Sequence, residues 1–344
     1  MKNKLKNILN IVIFILFIVV TFYILFKDKD IFEIINNIKK VKLKYIILGI
    51  SFMCVFVLCE AISIRRVLIS LGNKVSFINA IKYAAVGFFA SSITPSSSGG
   101  DPAQLYFMSK DNLKVSHSAL ALLVELCSFQ LITFLLAIIG FIINYDILIN
   151  HIGNIKYLMF LGITINLIIL ISLIVMIFSK KIALYIIKVI YKILELIHYK
   201  KRNIFLKKAI SQVDEYHKCS IYLKNNKTIF IKTFITSLIQ LVLYHSIPYL
   251  IFLAFNLKGY SFITFVFMES VLYISVSSLP FPGAVGISEG SFLTMFKMFF
   301  PKNILSSAML ISRGISFYLF VITTGLLILG FKIYESLIIR KNNY

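Results

Sequence analysis

Apolar runs long enough to cross a lipid bilayer recur along the whole chain, and they leave few folds open. Strong runs lie at 8–26, 45–64, 117–143, 155–178, 229–256 and 304–331, with weaker ones at 77–93 and 262–279. A bilayer core takes about 20 apolar residues per helix. No water bonds the backbone there, so such runs become helices whose N–H and C=O groups pair internally. Composition agrees. Of 344 residues, 59% are hydrophobic and 15% charged, against about 25% charged in a soluble domain. That excludes an ordinary soluble enzyme and a disordered chain. The 36 Lys+Arg against 14 Asp+Glu give a net charge of +22. A nucleic-acid binder could carry that charge, but not with this hydropathy. We read an all-α, polytopic transmembrane helical bundle of about six full spans, with two further broken or re-entrant elements.

The chain reads as one integral membrane domain, 1–344, in two halves. The first, 1–179, is interrupted at 91–102, and the second, 228–344, at 277–290. Between them, 180–227 carries twelve Lys and Arg against Glu195, Asp214 and Glu215. Ile182, Ile186, Val189, Ile193 and Leu196 share one face of that segment, and Lys181, Lys188 and Lys192 another. Two readings stand: a basic amphipathic helix on the membrane surface, or a cytoplasmic connector held inside by its charge. Both put it in the cytoplasm.

Charge allows two topologies. With the N-terminus inside and 77–116 entering and returning on one side, Arg65-Arg66, the connector and the C-terminus all face the cytoplasm. The cost is an outer loop, 27–44, with six Lys. If every weak run spans, that loop moves inside and both termini move outside. We carry the first.

The two interruptions form a pair. SSITPSSSGGDP (91–102) and SSLPFPGAVGISEG (277–290) each follow a weak apolar run, open on Ser-Ser, pass through Pro and Gly, and reach an acid, Asp101 or Glu289. Proline removes a donor and breaks a helix, and glycine opens backbone conformations closed to other residues. Matched breaks in the two halves point to an inverted-repeat transport site. We expect Asp101 to cap a new helix with Pro102 in its first position, and Ser288 to cap another over 289–299. Helix N-termini attract phosphate-like anions, and Ser96, Ser97 and Ser98 add hydroxyls.

Ionisable groups within spans face cavities or partners. Glu125, with Gln130 five residues on, Glu269 and Arg313 are of this kind. Each reads either as a site residue or as one half of a structural pair. Glu60 lies near Arg65-Arg66 in sequence. Tyr244-His245 reads as packed. Cys54, Cys59, Cys127 and Cys219 form no CxxC or His-paired spacing. His117 and Glu125 are too far apart along a helix to share a metal, and no metal or cofactor is expected. HExxH, P-loop and GxSxG motifs are missing, so we read a non-enzyme, with an intramembrane enzyme using Asp101 and Glu289 as the alternative.

TPSSSGGDPAQLYFMSK (94–110), VELCSFQ (124–130), LPFPGAVGISEG (279–290) and SRG (312–314) resemble, in order, the lysylphosphatidylglycerol synthase transmembrane region, a flippase-like membrane family. Members with a C-terminal cytosolic domain transfer lysine from lysyl-tRNA to phosphatidylglycerol. Their membrane part moves the product outward, which gives resistance to cationic antimicrobial peptides. The sequence ends at Tyr344 soon after its last apolar run, so the resemblance implies the membrane half alone. It makes Ser98, Gly99, Gly100, Asp101, Glu125, Pro282, Gly283, Gly286, Glu289 and Arg313 the functional core. The family commonly places Arg beside the acid of the fourth span; here Leu126 follows Glu125.

The leading expectation is a flippase for a phospholipid of the aminoacylated phosphatidylglycerol type, or for a polyprenyl-phosphate lipid, in a bacterial cytoplasmic membrane. The two breaks would meet near the midplane. Helix N-termini and Arg313 would hold phosphate. Asp101, Glu125 and Glu289 would hold a cationic headgroup, and Lys181, Lys188 and Lys192 would gather anionic lipid. The rivals are the membrane part of a lysyltransferase with a separate catalytic subunit, and a scaffold for a cell-envelope glycosyltransferase. Membrane lipids are the expected partners, with no nucleic acid.

Overall fold

The computed structural model describes residues 31–146, 155–196 and 202–342, with Tyr23 and Leu148 besides. The run at 8–26 lies outside them apart from Tyr23. The described chain is an all-α polytopic membrane bundle. Its helices are α1 (Ile31–Lys39), α2 (Leu43–Ser70), α3 (Phe77–Ser92), α4 (Gly100–Lys110), α5 (Val115–Ile143), α6 (Ile155–Phe178), α7 (Lys180–Leu196) and α8 (Arg202–Asn225). They continue with α9 (Lys227–His245), α10 (Ile247–Ala254), α11 (Phe262–Val276), α12 (Ile287–Met295), α13 (Lys302–Arg313) and α14 (Leu319–Asn342), with one π-helical turn, Gly314–Tyr318, between the last two.

Five stretches are long and apolar enough to span: Leu43–Ser70, Val115–Ile143, Tyr157–Ile177, Lys227–Ala254 and Lys302–Phe331. Pro248 sits at the start of α10, where its missing N–H costs least, so the fourth span bends at Ser246 without ending. The weak runs become α3 and α11, of 16 and 15 residues. Both fall short of the bilayer core.

The element lengths repeat. A 28-residue span, a 16-residue helix, an 11-residue helix and a 29-residue span fill 43–143. A 28-residue span, helices of 15 and 9 residues and a 30-residue span fill 227–331. The caps repeat too: Ser76 Oγ accepts from Asn79 N and Ser261 Oγ from Thr264 N, each at 3.1 Å. The leading spans pack antiparallel. Lys42 N donates to Ala254 O (3.0 Å) at one end, and Arg66 Nη1 reaches Thr233 Oγ1 (3.5 Å) near the other.

Short helices hold the ends. Ile34 and Ile38 turn α1 toward α13, where Asn37 Nδ2 donates to Asn303 O at 3.0 Å and Ser307 Oγ to Ile34 O at 3.4 Å. Ile35, beside Ile34 in sequence, is exposed. The basic connector folds as α7 and α8. Tyr216 OH donates to Met176 O (3.0 Å), which ties α8 to the end of α6. Aromatic packing fixes the end of α12 against α11: the Phe292–Phe296 rings lie 4.4 Å apart and Phe265–Phe296 5.7 Å. Such pairs add about 0.5–1.5 kcal/mol each beyond burial.

Candidate functional site

At the first break one side chain joins the end of α3 to the start of α4. Thr94 Oγ1 donates to Ala90 O (2.7 Å) and accepts from Gly99 N (2.9 Å). Because Thr94 supplies that acceptor, Gly99 and not Asp101 takes the cap position. Asp101 falls in the first turn, where its carboxylate suits the positive end of the helix. Pro102 sits two residues inside, still among the N–H groups that a helix leaves unpaired. Between the helices Ser96 and Ser97 adopt left-handed φ of 49° and 54°, a conformation costly for residues other than glycine. Pro95, Ser96, Ser97, Ser98 and Asp101 are exposed, whereas Gly100 is buried against Ser91.

The second break is closed. Gly286, at φ 89°, caps α12 in place of the expected Ser288, which lies buried in the first turn. Gly286 N donates to Glu289 Oε2 (2.7 Å). Arg313 Nε and Tyr318 OH both donate to Glu289 Oε1, at 2.8 and 2.9 Å. A second Arg313 nitrogen reaches Gly283 O (3.1 Å), and the guanidinium lies over the Phe317 ring, 4.5 Å from its centroid. Glu289 is 1% exposed and Arg313 7%. The π turn follows Arg313 directly and supplies both aromatic partners. Arg313 and Glu289, read from sequence as phosphate and amine ligands, are therefore each other's partners.

The two breaks touch. Pro95 and Pro282 form an isolated antiparallel bridge, and Ser96 Oγ donates to Leu279 O (3.3 Å). Gly283 has φ 58°, and a Cβ there would come within 3.1 Å of Ser92 O and run into the Phe317 ring. Pro282 is buried at this contact.

Around the first break stand three carboxylates. Glu60 of α2 accepts from Gln104 Nε2 of α4 (2.6 Å). Gly87 of α3 makes room for this bond, since a Cβ there would overlap the Gln104 amide. Glu60, Asp101 and buried Glu125 are electrostatic neighbours, and among the described residues no Lys or Arg pairs with them. Arg65 and Arg66 point elsewhere, to Val75 O and Thr233. Glu269 lies on the other side, toward Arg313, and its Oε2 is buried without a hydrogen-bond partner.

Gln130 donates to Asn166 Oδ1 of α6, a partner that the sequence reading missed. Asn166 Nδ2 in turn donates to Ser278 Oγ (2.8 Å) and Ile274 O (3.2 Å). Asn166 thereby links α5 and α6 to the end of α11 at the second break. Lys181, Lys188 and Lys192 are all exposed on α7, away from this centre.

The sequence matches the family described as the lysylphosphatidylglycerol synthase TM region over residues 7–323, which includes both breaks, the three carboxylates and Arg313. The chain belongs to that family. It is also 23% identical over 288 residues to a UPF0104 membrane protein of Archaeoglobus fulgidus, covering 82% of this chain and 84% of that one. Within that region, among the described residues, Glu289 and Arg313 are buried and paired, and Ser96, Ser97, Ser98 and Asp101 of the first break are exposed.

Proposed function

We propose that this membrane protein moves a lipid headgroup between leaflets of a bacterial cytoplasmic membrane, with the first break as its binding site. One observation carries the reading. An open loop of serines, Ser96–Ser98, and the exposed Asp101 stand beside Glu60 and Glu125 inside a bundle of spans. Irregular backbone is tolerated at such depth where it lines a cavity or is buried in protein. The second break, closed by Glu289 and Arg313, is its rigid backing. Carboxylates without a cation suit an amine-bearing headgroup, as in aminoacylated phosphatidylglycerol, and the serine hydroxyls and first-turn N–H groups suit its phosphate. Lys181, Lys188 and Lys192 on the connector lie at the cytoplasmic surface and attract anionic lipid.

A reconstituted assay tests this. Protein in sealed vesicles exposes an inner-leaflet fluorescent phospholipid to an external quencher as lipid crosses. Wild type accelerates quenching over empty vesicles. Asp101→Asn and Glu125→Gln each slow it about tenfold or more while circular dichroism stays unchanged. Equal rates for wild type and empty vesicles refute the function, and equal rates for variants and wild type refute the site.

A further inference from the structure

On α9 and α11 several buried polar atoms are used by neither the Glu289–Arg313 pair nor the first break. Glu269 of α11 carries a buried Oε2 that has no hydrogen-bond partner among the described residues. On the facing helix α9, both ring nitrogens of His245, Gln240 Oε1 and Ser237 Oγ are likewise buried and partnerless. His245 is 0% exposed. A buried polar atom left without a partner is costly, so an orphaned carboxylate oxygen calls for an explanation such as a bound proton.

Ring contacts join α9 to α11 beside these atoms. The Tyr244 and Tyr273 rings lie 5.6 Å apart, and His245 packs against both at 5.4 and 5.5 Å. Tyr273 neighbours Glu125 electrostatically, and Tyr244 neighbours Glu269, Glu289 and Arg313. Electrostatic neighbours thus lead from Asp101 and Glu60 through Glu125 and Tyr273 to Tyr244 and Glu269, with the Tyr244–Tyr273 ring contact as the geometric step among them. Neighbouring elements bring these ionisable groups toward α11: Glu125 from α5, Tyr244 and His245 from α9, Tyr249 from α10, Glu289 from α12 and Arg313 from α13. Asn166, the buried polar residue that α6 presents to α11, does not titrate.

Charge balance then decides. Glu60, Glu125, Glu269 and Glu289 lie in this interior with Asp101 at its edge, and among the described residues the Arg313 guanidinium that acts on Glu269 is already bonded to Glu289. Unneutralised charge within a membrane is costly. The surplus carboxylates therefore need positive charge even when no headgroup is present.

We infer that Glu269 is a proton-binding residue through which lipid movement is coupled to a proton gradient. This rests on the lipid-translocation reading above. The proton comes from water on the side to which the site is open and returns to water on the other, and only O–H bonds form and break. Occupied by a proton, Glu269 leaves Arg313 to Glu289 alone. Ionised, it competes for the same guanidinium and pulls on the closed break.

Two measurements test it, both on the full chain in sealed vesicles of phosphatidylethanolamine and phosphatidylglycerol. In the first, labelled-lipid movement is followed with and without an imposed pH gradient, the membrane potential clamped at zero. Wild type changes its rate about threefold or more with the gradient. Glu269→Gln moves lipid at a single rate whatever the gradient, and Glu269→Asp restores the response. Wild-type movement indifferent to the gradient overturns the coupling while leaving translocation intact. The second needs no lipid movement: infrared difference spectra across a pH titration contain a carboxyl carbonyl band that Glu269→Gln removes. Its absence from wild type overturns the proton site even if no lipid crosses at all.

Discussion

Replacing Glu289 by Gln should unfold this protein more readily than any surface change could. The carboxylate accepts from Arg313 Nε, Tyr318 OH and Gly286 N, in a pocket where it is 1% exposed. Glutamine keeps the size but strips the charge, so Arg313 is left buried without its counter-ion. Breaking one half of a buried pair costs about 3–5 kcal/mol, about two to nearly four powers of ten in the unfolding equilibrium. Removing both charges is a different perturbation. In Glu289→Leu/Arg313→Met no buried charge remains, and apolar replacements of a pair are often near neutral. Here Tyr318 OH, Gly286 N–H and Gly283 O lose a partner, at about 1–3 kcal/mol for each that finds no other. The double variant should therefore lose less than the sum of two single losses. Denaturant titration in detergent micelles reads this out by far-UV circular dichroism, since the chain has no Trp. A loss below about 1 kcal/mol for Glu289→Gln, on the same scale of buried pairs, would refute the structural role given to this pair. So would a double variant whose loss equals the sum.

Two further predictions concern the supports of the site. Asn166→Leu orphans the Gln130 amide and Ser278 Oγ, and should cost about 2–5 kcal/mol; adding Gln130→Leu should return part of it, because both partners are then apolar. Equal losses for the single and double variants in the same titration would sink the link. Glu215 is held below the usual carboxylate range, first by its hydrogen bond from Lys114, and Lys114 is held above its own for the same reason. A depressed acid stabilises the folded state above its unfolded value and loses that as pH falls through the folded one; a raised Lys loses its share as pH rises through its folded value. The gap in melting temperature between wild type and Glu215→Gln should thus be widest at neutral pH, close in acid and shrink in high salt. A gap constant with pH would contradict this.

What could be read in advance followed the range of the interaction. Spans and breaks depend on local hydropathy and on Pro and Gly chemistry, so 117–143 and 155–178 came within a few residues of α5 and α6. Caps slipped because a distant or reversed side chain took the job: Thr94 served Gly99, and Glu289 reached back to Gly286. Glu60 was read beside Arg65-Arg66, yet five and six residues along a helix point to different faces, and periodicity alone would have directed it elsewhere. Asn166 drew no notice as one Asn in an apolar run, although a lone amide at such depth needs a partner. The touching of Pro95 and Pro282 joins residues far apart in sequence, and no local pattern encodes it.

The repeated order of elements gives α6 a meaning of its own. Between Ile143 and Lys227 it is the one stretch among the described residues long and apolar enough to cross. An even number of crossings there would set the second four-helix unit in the same sense as the first, and both breaks would open toward one face. A single crossing turns the second unit over. The antiparallel contacts Lys42–Ala254 and Arg66–Thr233 are the visible result of that inversion. In this sense α6 acts as a parity element, whose presence more than its side chains decides that two like hairpins approach each other from opposite faces.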